Sequence, residues 1–278
     1  MNSDKPVIIN EIECYAVNLI SENDDYPYEV FKKINELEAS HFWYKGRLKS
    51  IRNLIIKYVS LGTKAKFLEI GGGTGATSAF LKSQIDGSYT VSEVSLEAIL
   101  NAKRRYPSNN YVQLDARNIP YQNKFNIIGI FDVIEHLEEE KQVMDEIYKA
   151  LEKSGYILIS VPQYNWLWSN HDELSGHKRR YTRKQLCDLL ASSGFEVIKV
   201  TSYLTAAFPL MLIARLFRGR KKVIQNNNFS EASGMEVPSL LNRFLGILTN
   251  LDASLIRLGI SLPFGGSLIV VGKKIETS

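Results

Sequence analysis

Cysteine is nearly absent from this chain: Cys14 and Cys187 are the two in 278 residues, far apart and in no paired spacing. That excludes a disulfide framework and a cysteine-based zinc site, and it points to a reducing, cytoplasmic setting. Histidine is almost as scarce, with four. Neither these nor the scattered acids fall at metal-ligand spacing, so no metal is expected. The opening MNSDKPVII has no basic stretch ahead of an apolar run, so no secretory leader is read there. No run approaches the ~20 apolar residues that cross a bilayer. A net charge of +4 is too small to argue for a nucleic-acid partner, and none is expected.

What is present suits a folded domain. A hydrophobic fraction of 45% and a charged fraction of 23% are those of globular proteins, and the length fits one large α/β domain with additions. Charge is unevenly placed. Residues 1–40 carry nine acids against three lysines, and residues 201–278 carry nine Lys/Arg against four acids. A basic end suits phosphates or an anionic membrane surface, or is simply solvated.

From Lys66 onward short apolar runs alternate with helix-period segments, the pattern of a βαβ sheet. Strands are predicted at Lys66–Ile70 (KFLEI), Ser88–Ser92, Tyr111–Leu114, Phe125–Phe131 (FNIIGIF), Tyr156–Val161 (YILISV), Phe195–Val200 and Ser267–Val271 (SLIVV). Between the first two lies a helix over Thr74–Ile85. Ser95 stands at an N-cap position, Met144, Ile147, Tyr148 and Leu151 follow i, i+3, i+4, i+7, and Thr182 with Gln185 forms a capping-box pattern. The expected division is an acidic segment and helical cap over 1–60, a cofactor-binding core over 61–202, a helical insertion over 203–265, and a last strand and tail over 266–278. Gln225–Ser233 reads as the loop richest in turn formers.

Between the first strand and its helix runs Glu69-Ile-Gly71-Gly72-Gly73-Thr74-Gly75-Ala76. Glycines there let a ligand approach the backbone and supply positive φ. The spacing Gly71-x-Gly73-x-x-Ala76 also meets the dinucleotide fingerprint, with Glu93 about 20 residues further on. A strand-end carboxylate holds ribose hydroxyls in either cofactor class. The turn alone leaves S-adenosylmethionine (SAM) and NAD both open, beside a turn with no ligand.

Taken together, the LEI strand, this turn, Glu93, the Leu114-Asp115-Ala116 segment and Asp132-Val133-Ile134-Glu135-His136-Leu137 resemble the class I SAM-dependent methyltransferases. Within these they resemble the ubiquinone and menaquinone biosynthesis branch. The likeness runs from about His41 to Lys273. It implies a Rossmann-like seven-stranded, mostly parallel sheet with helices on both faces and an antiparallel last strand. It implies SAM as cofactor, with Glu69, Gly71, Gly73 and Gly75 lining the methionine and ribose pocket and Glu93 on the ribose hydroxyls. Asp115 and Ala116 would flank the adenine, and Asp132 and Val133 would face the sulfonium. Relatives often have a bulkier residue at the middle glycine, so Gly72 is expected to tolerate substitution. The Asp132–Leu137 segment is one a nicotinamide enzyme does not need, which moves the balance to SAM.

Methyl transfer is an in-line displacement in which a protein mainly orients the nucleophile and, for a hydroxyl, removes its proton. His136 is a candidate base, or a helix-entry residue bonded to backbone. After YILISV comes Gln163-Tyr-Asn-Trp166-Leu-Trp168-Ser-Asn-His171-Asp172-Glu-Leu-Ser-Gly-His177-Lys-Arg179-Arg180-Tyr181, dense in aromatics, histidines and charge. His171 and His177 are candidate bases. Trp168, Arg179, Arg180 and Tyr181 are candidate acceptor contacts, the arginines for an anionic group. A lid packed on the sheet edge is the competing reading. The GH-x-RRYT stretch is similar to bacterial methyltransferases of cell-surface glycan pathways.

Trp43 and Tyr44 precede an apolar-faced helix that, in the resembling families, covers the cofactor. Tyr203–Phe217 is strongly apolar and followed by Arg218, Arg220, Lys221 and Lys222, a pattern suited to a substrate-side cap or to peripheral membrane contact through 203–222. The expected activity is O-methylation of a sugar or related hydroxyl on a small-molecule or lipid-linked acceptor. A quinone-type precursor, a nicotinamide oxidoreductase and a SAM-binding protein without catalysis are the alternatives. Oligomeric state is not legible in the residues.

Overall fold

The computed structural model describes residues 5–20, 28–60, 62, 64–218 and 237–276, with the side chains of 28–33 and 214–218 outside that description. Arg220–Lys222 and the Gln225–Ser233 loop, both singled out in the sequence, lie outside the described residues.

Apolar, β-branched runs form the sheet. Its strands are β1 (Val7–Ile9), β2 (Ile12–Cys14), β3 (Ala65–Ile70), β4 (Gly87–Glu93), β5 (Asn110–Gln113), β6 (Phe125–Phe131), β7 (Leu151–Pro162), β8 (Phe195–Tyr203) and β9 (Ser267–Lys274). They lie in the order β1-β2-β5-β4-β3-β6-β7-β9-β8. β6 and β7 are nearly continuously buried because helices cover both faces. β9 runs antiparallel to both β7 and β8, whereas β3, β4, β5, β6 and β7 pair in parallel.

Among the described residues the sheet has nine strands rather than the expected seven. β1 and β2 form a hairpin, and β2 adds to the edge beside β5, with Glu13 opposite Val112. Each strand is three residues long, too short for a period-2 pattern to register. Their connecting residues Asn10 and Glu11 both have positive φ, 49° and 61°. That is the backbone of a tight hairpin turn, which Asn-Gly would announce and Asn-Glu does not.

The helices are α1 (Tyr28–Ser40), α2 (Phe42–Tyr58), α3 (Ala76–Lys82), α4 (Leu96–Arg105), α5 (Glu140–Ala150), α6 (Asn170–Leu174), α7 (Arg183–Ser192), α8 (Phe208–Arg218) and α9 (Ser239–Leu258). Ser95 accepts from the Ala98 amide at 3.3 Å, and the Thr182–Gln185 box closes in both directions. α5 and α7 bury Val143, Met144, Ile147, Leu186 and Leu190 on one face of the sheet. α2 and α9 bury Ile51, Leu54, Ile55 and Ile256 on the other. α9 belongs to the stretch expected to be a helical insertion and substrate-side cap, and it lies directly on α2. A Cβ at Gly46 would fall 2.6 Å from Thr249 Cβ, so only glycine allows this close crossing. Asn53 Nδ2 donates to the Ala253 carbonyl at 2.8 Å and secures the pair.

β3 and β6 are neighbours whose flanking strands lead away in opposite directions. Such a switch point opens a crevice at the carboxyl ends of the strands. The glycine turn after β3 and Asp132–Leu137 after β6 both empty into it.

Candidate cofactor and acceptor site

A cavity of about 300 Å³ lies at these strand ends, lined by Leu19, Ile70, Gly71, Glu93, Val94, Leu114, Asp115, Ala116, Arg117, Val133 and Leu137. Five of the nine expected cofactor residues line it: Gly71, Glu93, Asp115, Ala116 and Val133. Gly71 has φ +65°, and a Cβ there would lie 2.4 Å from Val133 Cγ2, so both the backbone and the approach of β6 require glycine. Gly72 does not have the latitude expected of it. A Cβ at that position would meet Val91 Cγ1 at 2.5 Å, inside the packing of β4.

The Glu93 carboxylate accepts from the amides of Gly73 (3.1 Å) and Val94 (2.7 Å), which orients it at the end of β4. Asp115 is gripped by Arg117, with Nε at 3.0 Å from both carboxylate oxygens and Nη2 at 2.8 Å from Oδ2. Glu69 turns away from the cavity and accepts from the Ser78 amide (3.0 Å) and hydroxyl (2.5 Å). It thereby ties the glycine turn to α3, and burial pushes its pKa up to about 7.

Asp132 has φ +55°, a strained conformation for a non-glycine residue at the mouth of a site. Its carboxylate pairs with Arg47 of α2 and accepts from Ser160 Oγ at 3.0 Å. Arg47 carries no signal in the sequence, its partner lying 85 residues away. Trp43 and Tyr44 flank its guanidinium, 4.6 and 5.7 Å from the ring centroids. These aromatics therefore support the arginine and are not among the cavity's lining residues. Tyr203 is buried beside them with an unpartnered hydroxyl.

On the acceptor side, the 3-10 turn Ile134–His136 meets the loop between α6 and α7. The Lys178 amide donates to the Glu135 carbonyl at 2.8 Å and fixes one against the other. His136 hydrogen-bonds the backbone at Gly176 and Ser175. Burial, with the nearby His177, depresses its pKa to about 4, so the ring is neutral. His177 Nδ1 stands 2.9 Å from Asp172 Oδ1, and the two imidazoles meet edge to face at 4.7 Å between centroids. Burial alone would raise the Asp172 carboxyl. His177 and Arg180 outweigh it and hold the group well below the usual carboxylate range. Glu135 is fully buried, neither carboxylate oxygen has a hydrogen-bond partner among the described residues, and burial with the Asp132 charge raises its pKa well above normal.

The sequence grouped the arginines and tyrosine of this loop as acceptor contacts. The structure turns two of them inward. Arg180 forks onto Asp172 at 2.7 and 3.0 Å and donates to the Gln163 carbonyl at 3.1 Å. Tyr181 is buried and donates to Glu140 Oε2 at 2.6 Å. Both hold the loop in shape instead of facing the cleft. Arg179, only partly exposed, pairs with Glu138 (2.8 Å) and Glu140 (2.9 Å). Trp168 is half-buried and His171 exposed, with the His171 ring 6.2 Å from that of His177.

A family model described as a methyltransferase domain matches residues 42–200, more than half of the chain and the whole of the β3–β7 frame that carries the cavity. The chain belongs to this family; it is a class I methyltransferase by fold, and its cofactor is S-adenosylmethionine. Among curated proteins it is 23% identical over 167 residues to a Mycobacterium tuberculosis protein named "Probable S-adenosylmethionine-dependent methyltransferase", covering 59% of each chain. It is also 23% identical over 251 residues to a Dictyostelium discoideum protein named "Probable polyketide synthase 42", of which it spans 9%. Phosphoethanolamine N-methyltransferase 2 of Haemonchus contortus, solved with S-adenosyl-L-methionine, superposes with a TM-score of 0.59 at 15% identity, over 93% of this chain and 60% of that one. A [4+2]-cyclase superposes at 0.58 and 16% identity, over 89% of this chain and 94% of that one. These structural likenesses speak to the fold.

Proposed function

We propose that the chain transfers the methyl group of S-adenosylmethionine to a hydroxyl, of a sugar or a related compound, on a small-molecule or lipid-linked acceptor. The observation that carries this reading is the Asp172–His177 contact of 2.9 Å, beside the turn that follows Val133. A neutral amine attacks through its lone pair without first losing a proton, whereas a hydroxyl calls for a group that takes one. An imidazole oriented by a buried carboxylate is what that task calls for. In the transfer the acceptor oxygen bonds to the methyl carbon, the sulfur–carbon bond breaks, and its electron pair returns to sulfur. The hydroxyl proton leaves towards the histidine cluster. His136 and His177 are the proposed activating residues, Asp172 positions His177, and His171 stands at the rim. Trp168 and Arg179 are the proposed acceptor contacts.

In the cofactor pocket, Gly71, Gly73 and Gly75 admit the methionine and ribose, Glu93 takes the ribose hydroxyls, and Asp115 and Ala116 flank the adenine. Asp132 and Val133 face the sulfonium. Glu69 acts through the turn that it ties to α3.

The experiment is labelled methyl transfer from SAM to a panel of sugar, quinol and amine acceptors, with calorimetry against SAM, its demethylated product and NAD. An O-methyl sugar product is expected. Methylation at carbon or nitrogen alone, or SAM binding with no turnover across the panel, overturns the reading; the cyclase neighbour on this fold makes the second outcome a real alternative.

Lipid-linked acceptors have a specific observation behind them. Leu240, Phe244, Ile247, Leu251 and Leu258 are all exposed along α9, and Leu210 and Ile213 are exposed on α8. Among the described residues, the one acid of α9, Asp252, is buried, while Arg243 and Arg257 are exposed. An apolar stripe with basic flanks suits an anionic membrane surface, and we propose peripheral contact through α9 as well as through 203–222. No helix of the described residues is long and apolar enough to cross a membrane.

A further inference from the structure

Glu135 poses a problem that the cofactor site does not solve. Its side chain is fully buried and neither oxygen has a hydrogen-bond partner among the described residues. Buried polar atoms are almost always paired, and a carboxyl left alone even in its neutral form wastes an O–H donor. Two imidazoles stand beside it, edge to face at 4.7 Å between centroids. One ligand-type atom from each of Glu135, His136 and His177 lies within 4.8 Å of the other two, and this is a grouping the spacing of the sequence does not reveal.

Both rings are already held in place. His136 bonds the backbone at Gly176 and Ser175. His177 uses Nδ1 on Asp172, which Arg180 grips with two bonds, leaving Nε2 as its second donor atom. A carboxylate that fixes one imidazole nitrogen so that the other can bind a cation is the usual outer shell of a metal-bound histidine. The Lys178–Glu135 backbone bond sets the two ligand-bearing segments at fixed separation.

We propose that Glu135, His136 and His177 bind one divalent transition-metal cation of the zinc class. Two imidazoles and one carboxylate suit zinc, cobalt or ferrous iron, and are too poor in oxygen for calcium or magnesium. Three protein ligands leave a position open, as at zinc sites that act on substrates. Resting on the proposed hydroxyl acceptor, that position takes the acceptor oxygen. His136 and His177 then activate the acceptor as ligands of the cation and not as proton acceptors: the cation keeps its charge throughout and acidifies the bound hydroxyl, whose proton passes to water. The oxygen pair then forms the bond to the methyl carbon as the sulfur–carbon pair returns to sulfur.

The test uses tag-free, full-length protein equilibrated with zinc or cobalt chloride and then dialysed. Metal per chain is measured by elemental analysis, and the visible absorption of bound cobalt reports the ligand set. Wild type and His171→Ala are expected to retain close to one cation per chain. Glu135→Gln and His177→Ala are expected to bind at least about tenfold more weakly, and Asp172→Asn about 10–100-fold more weakly. Unfolding midpoints and SAM affinity, read in parallel, report whether each variant is folded. A wild-type protein that retains no metal overturns the proposal whatever the variants do, as do folded variants that bind as wild type does. Metal retained without any hydroxyl methylation sinks the acceptor reading and leaves the metal site standing. Full methylation by metal-free protein leaves the acceptor reading standing and overturns the cation's part in the transfer.

Discussion

The guanidinium of Arg47, on α2, pairs with the carboxylate of Asp132 at the end of β6, with Trp43 stacked against the arginine and Ser160 bonded to the aspartate. One contact thus joins the N-terminal helix to the residue proposed to face the sulfonium. Arg47→Met leaves a largely buried carboxylate without its cation. We expect a loss of about 3 kcal/mol in urea unfolding, together with weaker SAM binding by calorimetry. A variant within 0.5 kcal/mol of wild type, on the order of an ordinary surface change, would show that the pair is incidental.

Glu93 is already aimed by two amides, so its replacement isolates the ligand contact. Glu93→Ala is expected to weaken SAM about 10–100-fold, the worth of one or two hydrogen bonds to a charged acceptor. Calorimetry with SAM and its demethylated product should show equal losses, because both carry the ribose. A loss for one ligand alone would move Glu93 off the sugar.

Gly72 offers a steric test. Gly72→Ala pushes a methyl group into Val91 and should cost about 1–3 kcal/mol. In the Val91→Ala background the penalty should fall, giving a favourable coupling energy in a double-mutant cycle. Simple additivity would mean that the backbone shifts instead.

Burial raises the Glu69 pKa from 4.5 to about 7. The unfolded chain therefore gives up this proton first as pH rises. Its contribution to stability is fully present below about pH 4.5 and lost as pH climbs through 7, amounting to about 3 kcal/mol. Glu69→Gln keeps an acceptor for Ser78 and removes the ionisation. Unfolding measured at several pH values should show wild type losing stability relative to the variant between pH 5 and 7; parallel curves would contradict the assignment.

For the exposed stripe of α9, Phe244→Glu should reduce co-sedimentation with anionic vesicles at low salt several-fold, with the unfolding midpoint unchanged. Wild-type protein that stays in the supernatant removes the membrane proposal.

Much of the frame was legible because it depends on local signals. FNIIGIF and YILISV are long apolar runs, Ser95 and the Thr182–Gln185 pair cap helices within three residues, and the glycine turn sits between a strand and a helix. The site's working pairs were not legible, because they join distant segments. Arg47 reaches Asp132 across 85 residues, and His177 comes to Glu135 only because a backbone bond folds one loop onto another. Arg180 and Tyr181 misled for a related reason. Charge and aromaticity in a loop look alike whether they face a ligand or brace the loop from within. The β1–β2 hairpin went unread because three-residue strands carry no periodicity.

The placement of β9 has a bearing on how the chain comes to be folded. Among the described residues β8 pairs only with β9, and β7 turns one whole edge to it. While the protein emerges from the ribosome, β7 and β8 are both made before residues 267–274 exist. Two apolar strands then present unpaired edges, the surfaces most prone to join other chains. α2 waits as well, since its partner helix α9 comes late in the sequence. A nascent chain halted just before Ser267 is therefore expected to be a client of chaperones, and completion of β9 is the event that releases it.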